Sequence, residues 1–115
     1  MKNLFKDVLS MEGVNGLLLL SLDGDMIYND LTADVAAQAR RVDWKSFISA
    51  LDGVRETDVL FEAGRMYIRK TDVGYLLVLM NLTTSVAMLR LNCDILLPSL
   101  KPAKSTKKLS RFFKK

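Results

Sequence analysis

Histidine is absent from the 115 residues, which removes Ser-His and Cys-His nucleophile pairs and imidazole metal ligation together. Few other groups are spaced for chemistry. Asp23 and Asp25 resemble a carboxylate pair, but they flank Gly24 between apolar runs, where Asp serves the local hydrogen bonds of a turn. Cys93 is the sole thiol. A reactive thiolate needs a basic neighbour or a helix N-terminus, whereas Cys93 falls mid-helix beside Asp94, with Leu89, Leu96 and Leu97 around it, as a small core residue would. No Gly-x4-Gly-Lys-Ser/Thr loop is present, and Gly13-Val14-Asn15-Gly16 leads into a strand rather than opening a helix on phosphate. Arg40-Arg41 has the chemistry of an arginine finger, yet a dibasic pair ahead of a helix ordinarily forms a solvated surface. The expectation is a non-enzyme with no catalytic residues, no cofactor and no metal.

The most distinctive local feature is electrostatic. All thirteen acidic residues lie at or before Asp94, while seven of the seventeen basic ones fall in residues 101–115. Residues 1–100 therefore form an acidic body, and the basic pI describes the tail. Lys104, Lys107, Lys108, Arg111, Lys114 and Lys115 surround Phe112-Phe113. Charge alone would make residues 101–115 a flexible solubilising end, but paired phenylalanines argue for contact. An acidic protein groove is the first expectation. An anionic membrane comes second, with each cation adding up to about 1 kcal/mol near the surface while the rings enter the interface. Nucleic acid comes last, because no folded basic surface supports it.

One chain of this length makes one domain, residues 1–100, with a single core. A lone cysteine excludes an internal disulfide framework, and residues 1–7 contain no apolar run of signal-peptide length, so a cytoplasmic setting is expected. The uncharged run over residues 73–89 is broken by Asn81-Leu82-Thr83-Thr84-Ser85 and reads as strand, turn and helix rather than a membrane span.

The elements follow from hydrophobic period. Leu4, Phe5, Val8, Leu9 and Met11 predict a short amphipathic helix over residues 2–11 stopped by Gly13. Residues 14–22, with Leu17-Leu18-Leu19-Leu20 at their centre, are too uniformly apolar for a half-exposed strand and predict one buried on both faces. Asp23-Gly24 turns the chain into a short peripheral strand at Met26-Ile27-Tyr28. Residues 31–42 suit a loop or a weak helix with a small apolar face. From Asp43, a good N-cap, Trp44, Phe47, Ile48 and Leu51 recur at helical spacing until Gly53. Residues 56–62 and 65–70 alternate with period two, joined by a turn at Ala63-Gly64. Tyr75-Leu76-Leu77-Val78-Leu79-Met80 is a second doubly buried strand, and Thr84 or Ser85 caps a last helix bearing Val86, Leu89, Cys93, Leu96, Leu97 and Leu100.

If the two uniformly apolar strands lie side by side, the hairpin and the meander join into a five-stranded antiparallel sheet of order 2-1-5-4-3 with helices on both faces, an α/β (α+β) fold. The strand containing Thr57, Val59 and Phe61 is then an edge. An edge with few charged gatekeepers is satisfied by a second copy lying antiparallel, so a homodimer is expected. Trp44, Phe47, Ile48 and Leu51 allow two readings: packing of their helix on its own sheet, or sharing of aromatic residues with a dimer mate.

Over residues 4–100 the order of elements resembles the roadblock and dynein light chain family, which includes bacterial regulators of small GTPases. The string from Gly13 through Leu17-Leu18-Leu19-Leu20 to Asp23-Gly24 looks like that family's opening, and Gly74-Tyr75-Leu76-Leu77-Val78-Leu79 and Leu89-Arg90-Leu91 look like its last strand and final helix. The resemblance implies a profilin-like roadblock fold and a homodimer with a continuous ten-stranded sheet. Its edge strand would be residues 56–62 and its pairing helix residues 44–51. It further implies a platform that binds a Ras-like small GTPase or a larger scaffold. Residues 30–42 depart from the family by lacking a long, clean second helix. The competing reading is a ligand-sensing or membrane-recruited module on a profilin-like fold, which a deep pocket beside the sheet would favour.

Overall fold

The computed structural model describes residues 4–61 and 64–100. Its centre is β1 (Val14–Leu20), paired antiparallel with β2 (Met26–Leu31) on one side and β5 (Tyr75–Met80) on the other. Next to β5 come β4 (Gly64–Lys70) and β3 (Glu56–Phe61), so the strand order is β2-β1-β5-β4-β3, as the hydrophobic pattern predicts. β1 and β5 are uniformly apolar because each feeds two cores. Leu17 and Leu19 with Leu76, Val78 and Met80 face one side, and Leu18 and Leu20 with Leu77 face the other. Each such buried leucine contributes about 1.5–3 kcal/mol, so the central strand pair carries much of the fold's stability.

The first core is closed by α1 (Lys6–Leu9) and α4 (Val86–Leu96), through Phe5, Val8, Leu89, Cys93 and Leu96. α1 is a single turn, shorter than the predicted 2–11. The bond from Met11 N–H to the Val8 carbonyl, 3.1 Å, tightens its exit, and Phe5 is held instead by stacking on Tyr28, with ring centroids 5.4 Å apart. Ser85 caps α4, its hydroxyl accepting from Met88 N–H at 3.2 Å. Burial pushes the Cys93 thiol up to about 12, in keeping with a packing role.

The second core is covered by α3 (Trp44–Ala50), with Ile48 and Leu51 beneath it. Residues 31–42 are resolved differently from a loop. β2 runs on to Leu31, longer than the peripheral Met26-Ile27-Tyr28 strand expected, because Asn29, Asp30 and Leu31 pair with Leu18, Leu17 and Gly16. α2 (Ala33–Ala39) then forms a separate short helix. The Asp43 side chain accepts from Ser46 N–H at 3.3 Å and so starts α3 afresh, which divides what would otherwise be one helix. At the Asp23-Gly24 turn the Ser21 hydroxyl, not a carboxylate, accepts from Asp23 and Asp25 N–H at 3.2 and 3.1 Å. Among the described residues no helix is long and apolar enough to cross a membrane.

Candidate interface at the free sheet edge

β3 pairs with β4 alone among the described residues, in the register Thr57 opposite Ile68, Val59 opposite Met66 and Phe61 opposite Gly64. Thr57 and Val59 therefore lie on the α3 side of the sheet, and Val59 remains 36% exposed. The four helix residues divide. Ile48 and Leu51 are buried against the sheet of their own chain, so the packing reading holds for them and little of their surface remains for a mate. Trp44 and Phe47 are only half-buried, in edge-to-face contact at 5.5 Å and 89°. The Trp44 indole is aimed by its own hydrogen bond, Nε1–H donating to the Ala39 carbonyl at 3.1 Å across the α2–α3 joint. Beside it lies an apolar cleft of about 220 Å³ lined by Val35, Ala39, Val42, Trp44 and Met66. The tail residues Lys104, Lys107, Lys108, Arg111, Phe112, Phe113, Lys114 and Lys115 lie outside the described residues.

On the opposite face the edge strand is held by a polar network that sequence reasoning missed. The Tyr67 hydroxyl donates to the Glu56 carboxylate, which also accepts from Arg90 Nε at 2.6 Å. Arg69 donates to the Tyr67 hydroxyl at 3.1 Å and pairs with Asp94 of α4. Apart from Tyr67 and Arg69, two residues apart on β4, its partners stand 11 to 34 residues apart in the chain. The only local hints are the period-two placement of Glu56 and the i, i+4 spacing of Arg90 and Asp94 on one helix flank. Arg65 Nε approaches Asp58 Oδ1 to 3.3 Å without completing a hydrogen bond, an ion pair of smaller effect.

The electrostatics follow from these contacts. The hydrogen bond from Tyr67, then that from Arg90, hold the Glu56 carboxyl below its ordinary value. Burial, then the bond to Glu56, raises the Tyr67 phenol to about 12. Burial opposes the Arg69 charge, but Asp94 and Tyr67 outweigh it and the guanidinium stays protonated. Because folded Glu56 binds its proton less readily than unfolded Glu56, it adds stability above the usual Glu range near about 4.3, and this is lost as pH falls through the folded value. Glu56→Gln is expected to destabilise the protein at neutral pH by on the order of 1 kcal/mol. It should also reduce the slope of stability between about pH 6 and about pH 3, read from urea midpoints across that range. A wild-type slope retained in the variant would mean that another carboxylate governs the acid response.

Solved structures share this arrangement of five strands in the order 2-1-5-4-3 with helices on both faces. A Roadblock/LC7 domain from Streptomyces avermitilis superposes with a TM-score of 0.66 at 20% identity, over 86% of this chain and 92% of that one. The chain has the roadblock fold. MglB in a tetrameric arrangement shares the roadblock fold at a TM-score of 0.64 and 13% identity, covering 85% of this chain and 82% of its own. The gliding protein MglB from Thermus thermophilus does so at 0.53 and 18%, over 82% and 80%. No protein-family model and no curated protein matches the sequence. Among the described residues β3 is an outer strand of the sheet, and the chain ahead of it carries two short helices, α2 and α3, rather than one long helix.

Proposed function

We propose that this chain is a non-catalytic regulatory protein: a homodimer joined along β3 that serves as a platform for a Ras-like small GTPase or a larger scaffold. The observation that carries this reading is the outer edge of β3 with Val59 exposed on it, together with half-buried Trp44 and Phe47 on the same face of the sheet. An antiparallel mate supplies backbone partners to Glu56–Phe61 and covers that apolar surface in one step. The tetrameric arrangement of MglB, which shares the fold, is in keeping with self-association.

The ligand-sensing alternative wants a deep pocket against the sheet. The apolar cleft beside Trp44 is small, about 220 Å³. The roomier ones, about 670 Å³ beside Arg55, Arg69, Lys70 and Asp94 and about 490 Å³ beside Lys6, Ser10, Asn15 and Asp30, carry charged groups in their lining rather than the mainly apolar walls usual for small-molecule sites. Light scattering at micromolar concentration is expected to give twice the chain mass. GTP hydrolysis and nucleotide release by a Ras-like GTPase, measured with and without the dimer, then assign the regulatory mode. A monomer at that concentration would overturn the reading.

A further inference from the structure

α4 has a second apolar stripe that its own core does not use. Leu89, Cys93 and Leu96 face the sheet, while Met88, Leu91 and Ile95 recur at i, i+3 and i+7 on the outside and are 52%, 51% and 66% exposed. At its N-terminal end the stripe runs into a cleft of about 390 Å³ lined by Met11, Glu12, Asn81, Thr84, Ser85 and Met88. The Met11 sulfur is positioned there by Asn92 Nδ2, at 3.2 Å. Two methionines at the rim suit an aromatic ring, since thioethers make favourable contacts with ring edges. Exposed Glu12, which forms no ion pair among the described residues, places a negative charge beside them.

We propose that this face is covered by the protein's own C-terminal segment, with Phe112-Phe113 seated in the Met11–Met88 cleft and the flanking lysines beside Glu12. Three observations select this occupant. The described chain ends at Leu100, which is buried in the first core at the C-terminal end of α4, so the tail departs from one end of the stripe it would cover. The eleven residues of α4 span about 17 Å. The twelve residue steps from Leu100 to Phe112 reach at most about 40–43 Å, ample for that span. A tether long enough to join the two points raises the effective concentration of the phenylalanines at the cleft over that of free partners. Charge agrees as well. The cation on the near flank, Arg90, is already engaged by Glu56, which leaves Glu12 to meet a segment carrying seven positive charges. α4 reaches β3 through Arg90 and Glu56, while Met88, Leu91 and Ile95 face outward, so the docked tail leaves the backbone edge of β3 open to a mate.

The test uses the full chain with 13C-labelled methionine methyls. Phe112→Ser with Phe113→Ser is expected to remove a ring-current shift from the Met11 and Met88 methyls, leaving Met26 and Met66 in place, at all protein concentrations. Glu12→Lys should move Met88 in the same direction by weakening the dock. Met88 methyl positions identical with and without the phenylalanines would overturn the proposal. So would a shift that grows with protein concentration, which assigns the face to a second copy, or one that appears only with vesicles of anionic phospholipid. Neither substitution removes a side chain from the two described cores, so failure to fold does not obscure the result.

Discussion

Gly74→Ala is expected to lose on the order of 3–5 kcal/mol of stability, enough to move the thermal midpoint by about 10–25 °C or to prevent folding. Gly74 joins the β4–β5 turn to the middle of the sheet with φ +148°, and a Cβ there would stand 1.9 Å from the Leu20 carbonyl oxygen. That oxygen belongs to the backbone of the central strand and has nowhere to go without breaking the β1–β5 ladder, which pairs Leu20 with Tyr75. Gly53 provides the control. Its φ of +85° also lies where side chains are rarely found, yet nothing lies within 4 Å of its Cβ position. Gly53→Ala should therefore cost only the left-handed backbone penalty, about 1–2 kcal/mol. Comparing the two melting curves isolates the close approach from the backbone conformation. Equal losses would show that conformation alone matters at Gly74.

Trp44→Ala should yield a folded protein whose self-association is weakened about 30-fold or more, the effect of removing an aromatic anchor worth at least about 2 kcal/mol. Trp44 is half-buried and touches Phe47 and the Ala39 carbonyl, so its loss leaves the sheet covered by Ile48 and Leu51. Ile48→Ala is the counterpart. With 5% exposure in the second core, it should destabilise the chain by about 2–5 kcal/mol and alter association only as far as unfolding does. Circular dichroism for folding and concentration-dependent light scattering for association separate the two outcomes. Unfolding of the Trp44 variant would place that residue with Ile48 as plain core, and the edge-and-helix interface would lose its anchor.

The strand arrangement was legible in the chain because the signal for it is local. Leu17–Leu20 and Tyr75–Met80 are apolar on both sides of their pleat, which admits only central strands. Residues 56–60 alternate, which marks a strand with one covered face. The cap at Asp43 was equally legible and that of α4 was narrowed to Thr84 or Ser85, since capping is a contact between residues three apart.

Residues 31–42 were legible only as a loop or a weak helix, of which α2 is the second, and the extension of β2 to Leu31 was not legible, because it forms only where β1 already lies alongside to pair with it. The candidate interface divides in the same way. Residue type marked Trp44, Phe47, Ile48 and Leu51 as one stripe, and only packing could separate the two that the sheet buries from the two that it leaves half-covered. The network of Glu56, Tyr67, Arg69, Arg90 and Asp94 is likewise a property of the folded chain. Charges this far apart in sequence acquire partners only after β3, β4 and α4 have been brought together, whereas hydrophobic period acts within each element before any of them meet.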